Sequence, residues 1–155
     1  MEALLTEYRA YVQYLIIFSL TAYAFARGDG PEKEAGAILS GMVAMDVVYH
    51  LLFPDAGVYQ EIDPGHFLID LCVLILLGRL AVRANRVYPI WMLAAQIISM
   101  SMHLNRELSS AIEPIAYLVL TRIPSYLQLL AFGAGLWAHH KRIMKYGTYR
   151  SWRTT

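Results

Sequence analysis

The chain has 155 residues, of which 57% are hydrophobic and only 16% charged, a balance more apolar than a soluble domain of this size tolerates. That length leaves no room for a soluble catalytic domain beside a membrane bundle. The formal charge of +1 excludes nothing as a total, because in a membrane protein the positions of the charges carry the information.

The first apolar run covers residues 11–26 and ends at the breaker Gly28, Asp29, Gly30, Pro31. Pro31 suits a first helical turn, and Glu32 and Glu34 complement the positive end of the helix dipole. The second apolar run then covers residues 35–53 and stops at Pro54. A polar connection through Asp55, Gly57 and Glu61 leads to Asp63 as N-cap and Pro64 as the first residue of a third helix, residues 64–82. Arg83 to Arg86 form a tight turn before a fourth helix, residues 87–104. Asn105, Glu107, Ser109 and Ser110 link it to a fifth, residues 114–140, which Pro124 is expected to interrupt. Runs near roughly 17 residues are short for a span, so tilt or local thinning has to make up the difference.

These elements predict an all-α, polytopic transmembrane bundle over residues 1–140, followed by a basic and aromatic tail over residues 141–155. Arg27, Lys33, Arg79, Arg83, Arg86 and the tail cations share one face if there are five spans. The other face receives Arg9 and Arg106 among many carboxylates, so the positive-inside rule puts the N-terminus outside and the C-terminus in the cytoplasm. A bacterial inner or plasma membrane is the expected location. Ala24, Phe25, Ala26 resembles a signal-peptide cleavage site, but Glu2, Glu7 and Arg9 do not make a basic n-region. Tyr8, Tyr11, Tyr14, Gln13 and Ser19 also allow the first segment to be read as an interfacial helix.

Small residues supply helix-packing seams: Gly36, Ser40 and Ala44, flanked by Ala37 and Gly41, and Ala131 with Gly135. Packing within the chain is the plain reading, and an interface in a homo-oligomer or with partner membrane subunits is the sharper one. Cys72 stands alone in an apolar run, which excludes an intrachain disulfide, a CxxC pair and a thiolate zinc cage.

The chemistry lies in ionisable residues inside the runs. Asp46 and His50 share one helix face, as do His66 and Asp70, while Gln96, Ser99, His103 and Arg106 make a stripe on the fourth helix. The five-span topology brings these faces together near the outer surface. At about 1.5 Å per residue, Asp46, Asp70 and Arg122 come out roughly 10 Å below the outer boundary, a layout that suggests an ion-paired layer.

Several roles fit this cluster of Asp46, His50, His66, Asp70, His103, Arg106 and Arg122. It is a structural polar network, a vestibule for a proton, ion or small polar solute, or a site for a metal ion or haem b using His50, His66 and His103. Intramembrane hydrolysis by aspartate and histidine is the remaining option, without support from HExxH, a nucleophile elbow or a phosphate loop. No motif calls for a cofactor. Lys141, Arg142, Lys145, Arg150, Trp152 and Arg153 read as an anchor on anionic lipid headgroups, and nucleic acid is not an expected partner. Two function classes follow: an accessory or assembly subunit of a membrane complex, or an oligomeric channel, transporter or sensor.

Overall fold

A computed structural model describes residues 2–53, 64–105 and 114–154, with the backbone alone for residues 2–7, 102–105 and 114–122. The described residues form five helices: α1 (Glu2–Arg27), α2 (Gly30–Leu52), α3 (Pro64–Arg83), α4 (Tyr88–Asn105) and α5 (Pro114–Tyr146). The all-α expectation holds. By length and composition, α2 and α3 are apolar enough to cross a membrane.

Helix boundaries follow local chemistry. The backbone amide of Asp29 donates to Glu32 Oε2 at 3.2 Å, and Pro31 occupies the first turn, so α2 begins at Gly30, ahead of its apolar run. The first helix is also longer than its apolar run, extending back to Glu2, and α5 continues past residue 140 to Tyr146. Pro124 does not interrupt α5. It lies fully buried inside a continuous helix, where only one backbone hydrogen bond is forfeited and neighbouring helices cover the site.

Each helix packs on its neighbour in sequence, most extensively α4 on α5 and α3 and α1 on α2, and α5 returns to touch both α1 and α2. The core is built from Ile17, Leu39, Leu77, Leu80, Met92 and Phe132, all at most 2% exposed. Much of the outer surface stays apolar, with Leu15, Leu51, Ile75, Val82, Trp91 and Leu130 among the exposed side chains.

Of the small-residue seams, Gly36, Ser40 and Gly135 serve packing within the chain. Thr21 Oγ1 donates to the carbonyl of Gly36 at 3.1 Å and lies 2.8 Å from Ser40 Oγ, so α1 and α2 meet with their backbones close. Gly135 is covered by the Tyr88 ring, which fixes α4 against α5. Ala37 and Ala44 remain exposed, and Gly41 has nothing near it.

The tail is part of the fold. After Gly147, whose positive φ of 72° reverses the chain, it returns to the α3–α4 turn. The amide of Asn85 donates to Ser151 O at 3.0 Å and that of Arg153 to Arg83 O at 2.9 Å, giving an isolated bridge between Ala84 and Trp152. Trp152 is half-buried against Gly30, where an added Cβ would lie 2.7 Å from the indole.

Candidate functional site

At one end of the bundle, the C-terminal turns of α2 meet the first turns of α3. Helical spacing puts Asp46 one turn before His50, and His66 one turn before Asp70. His66 Nε2 lies 3.0 Å from Asp46 Oδ1, and His50 Nε2 lies 3.8 Å from the same oxygen. The three ligand atoms of Asp46, His50 and His66 fall within 4.8 Å of one another. The imidazole centroids are 5.0 Å apart, and Tyr49 sits edge-on to both rings. Gly65 makes that approach possible, since a Cβ there would run into the Tyr49 ring.

This trio borders a cavity of about 280 Å³ between α1, α2 and α3. Asp46 and His66 form part of its wall, together with Arg9, Gln13, Tyr14 and Asp70, and the Tyr14 side chain is hydrogen-bonded to Asp46. Asp70 faces a different partner. Gln96 Nε2 donates to Asp70 Oδ1 at 2.9 Å and to its carbonyl at 3.1 Å, and Gln128 Nε2 in turn donates to Gln96 Oε1 at 2.6 Å. A chain of amides therefore links α3, α4 and α5 through the interior, with Gln96 and Gln128 buried.

The structure thus brings Asp46, His50 and His66 together, and Asp70 borders the same cavity. Among the described side chains, Asp46 meets His50 and His66, and Asp70 accepts from the buried Gln96. The side chains of His103 and Arg122, and the whole of Arg106, lie outside the described residues.

A second polar centre occupies the opposite end, and sequence reasoning missed it. Glu32 is fully buried and receives a hydrogen bond from Arg86 Nε at 3.0 Å; the Arg86 side chain is only 4% exposed. Arg86 Nη1 also donates to the carbonyls of Asn85 and Arg150, at 3.0 and 3.1 Å. His139 Nδ1 lies 2.9 Å from the Tyr149 hydroxyl and 3.8 Å from Glu32 Oε1. The Arg86 guanidinium rests 4.3 Å from the centroid of Tyr149. Burial raises the Tyr149 pKa above its ordinary value, against the opposing pull of Arg86, so the phenol keeps its proton at neutral pH. Ser151 Oγ donates to Asp29 Oδ2 at 2.8 Å, and Arg79 pairs with Glu34 nearby.

Glu32 and Arg86 look like a dipole partner and a turn cation when read in sequence. The alternation of Tyr149 and Trp152 with tail cations was the available signal. The anchor residues separate accordingly: Lys141, Arg142, Lys145, Arg150 and Arg153 are exposed, whereas Trp152 is engaged in the fold.

Comparison with known proteins supplies no relative: no family, no curated protein and no solved structure matches this chain.

Proposed function

We propose that this chain is a five-span membrane protein, N-terminus outside and C-terminus in the cytoplasm, that binds a divalent transition-metal ion at its outer face through Asp46, His50 and His66. The observation that carries this reading is the approach of both Nε2 atoms to one carboxylate oxygen, at 3.0 and 3.8 Å. A tetrahedral zinc site with bonds of about 2.0 Å has donors about 3.3 Å apart, so these separations bracket the ideal edge. Two imidazoles and a carboxylate suit zinc and its neighbours in the first transition row better than magnesium or calcium. The adjoining cavity gives room for a fourth ligand. Haem b fits poorly between His50 and His66, because their rings are in contact and share the Asp46 oxygen, leaving no slot for a macrocycle.

The polar path does not continue through the bundle. One turn beyond Gln96 and Gln128 the core consists of Met92 and Phe132, both fully buried, with Leu77 and Leu39 in the same cluster. This dry layer favours a binding or sensing site over an open conduit. Together with the lack of a catalytic motif, it supports an accessory, metal-responsive role within the membrane and speaks against an enzyme.

The test is a zinc titration of the detergent-purified protein in competition with a chromogenic chelator. One ion per chain is expected, and His66→Ala or Asp46→Asn should weaken binding at least about tenfold, the lower bound seen even when second-shell partners are lost. Absence of stoichiometric binding by the wild type, or full affinity in both variants, overturns the reading.

A further inference from the structure

Between α4 and α5, at the end of the bundle that carries the tail, lies a cavity of about 260 Å³. Its polar wall is made by Arg86, Tyr88, His139, Arg142 and Tyr149, and its apolar wall includes Trp91 and a strip of small residues, Ala131, Ala134 and Ala138. Two polar atoms of this wall lack a hydrogen bond. Arg86 Nη2 and the Tyr88 hydroxyl are buried with no hydrogen-bond partner, in residues that are 6% and 7% exposed. Buried donors left in this state destabilise the fold unless something accepts from them.

The chemistry of the missing acceptor follows from the wall. The Arg86 guanidinium and the Tyr88 hydroxyl bring unpaired donors to this wall, Arg142 brings a second guanidinium, and no carboxylate lines the cavity. Behind Arg86, Glu32 Oε1 lies 3.0 Å from Nε and Asp29 Oδ2 lies 3.8 Å from Nη2 itself, beyond hydrogen-bond distance, so Asp29 attracts this nitrogen without satisfying it. An anionic group with several acceptor oxygens fits, and guanidinium groups match phosphate in particular. At the mouth, Val87 and Trp91 are about two-thirds exposed (65% and 66%), an apolar rim beside a polar floor. That combination suits an amphiphile whose head enters and whose chains run out along the helices.

We infer that this cavity is a specific site for the phosphate headgroup of an anionic phospholipid, bound through Arg86, Tyr88 and Arg142 with its acyl chains against Trp91 and the alanine strip. The site rests on the membrane placement proposed above, which puts this end at the cytoplasmic headgroup level. It shares no residue with the metal site, so either can fail alone.

Native mass spectrometry of the full chain, released from detergent in the presence of phosphatidylglycerol or phosphatidylcholine, tests the assignment. One phosphatidylglycerol should be retained in preference to phosphatidylcholine. Arg142→Gln and Tyr88→Phe should each weaken retention about tenfold, the usual effect of losing one hydrogen bond to a charged group. Ala138→Leu, which narrows the cavity without touching a donor, should also reduce it. Tyr88→Phe should leave the unfolding temperature of delipidated protein unchanged or higher, because the hydroxyl it removes has no partner there.

Equal retention in all variants would identify ordinary annular lipid and sink the proposal. Displacement of the lipid by millimolar inorganic phosphate would reassign the site to a soluble phosphate. Recovery of the chain in the soluble fraction after carbonate washing would instead remove the membrane placement itself.

Discussion

Glu32 and Arg86 form a demanding interaction, because both charges are taken almost wholly out of solvent. Such a pair is weak evidence for net stability, yet removing one member strands the other, typically at a cost of about 3–5 kcal/mol. Glu32→Gln should therefore lower the unfolding midpoint in detergent sharply, and so should Arg86→Met. Combining them should recover a substantial part of the loss, since neither then leaves an uncompensated charge. A thermal scan of the four proteins is the measurement, and strict additivity would show that the two groups are not coupled. At the other end, Asp46, His50 and His66 are 29–48% exposed as side chains, so their substitution should matter little to the metal-free fold. Zinc at a hundred times its dissociation constant should stabilise the wild type by about 2.7 kcal/mol. The same zinc should stabilise His66→Ala by no more than about 1.4 kcal/mol, the value for a tenfold weaker site, and a chelator should reverse the gain.

The helices meet through contacts that make glycine necessary at some positions and incidental at others. Gly135 lies under the Tyr88 ring, so a methyl there collides with a rigid aromatic and pushes α4 from α5. Gly41, also within a helix, has nothing within 4 Å. Gly135→Ala should accordingly lower the unfolding midpoint, while Gly41→Ala should raise it slightly, in line with the roughly 1 kcal/mol by which alanine exceeds glycine in helices. Equal effects at the two sites would refute the packing argument. Element identity was legible because apolar runs punctuated by Pro31 and Pro64 have one helical reading, and because i, i+4 spacing fixes which side chains share a face. Partner choice was not. Depth placed Asp70 in a polar layer but did not show that Gln96 donates to it, which depends on the rotation of α4 against α3. Glu32 and Arg86 were hidden for a related reason, since their burial depends on a tail that returns across many residues to cover them.

At the scale of the whole molecule, the two polar centres sit at opposite ends of one apolar bundle, and the proposed topology decides which compartment each one faces. Five spans require residues 8 and 145 to lie on opposite sides of the membrane, with Lys33 on the side of residue 145. The exposed apolar girdle of Leu15, Leu51, Ile75, Val82 and Leu130, spread over α1, α2, α3 and α5, agrees with several lipid-facing helices, although among the described residues only α2 and α3 meet the length and hydropathy expected of a span. An interfacial α1 gives a different answer, because four spans return residues 8 and 145 to the same face. Single cysteines at Tyr8, Lys33 and Lys145, introduced after Cys72→Ser, discriminate these arrangements in sealed inverted and right-side-out membrane vesicles. With a membrane-impermeant maleimide, Tyr8→Cys should label only in right-side-out vesicles, and Lys33→Cys and Lys145→Cys only in inverted ones. Labelling of all three in the same orientation would make α1 interfacial. The opposite polarity at every site would retain the five spans but turn the bundle over, moving the aspartate–histidine site to the cytoplasm and the lipid cavity to the outer leaflet.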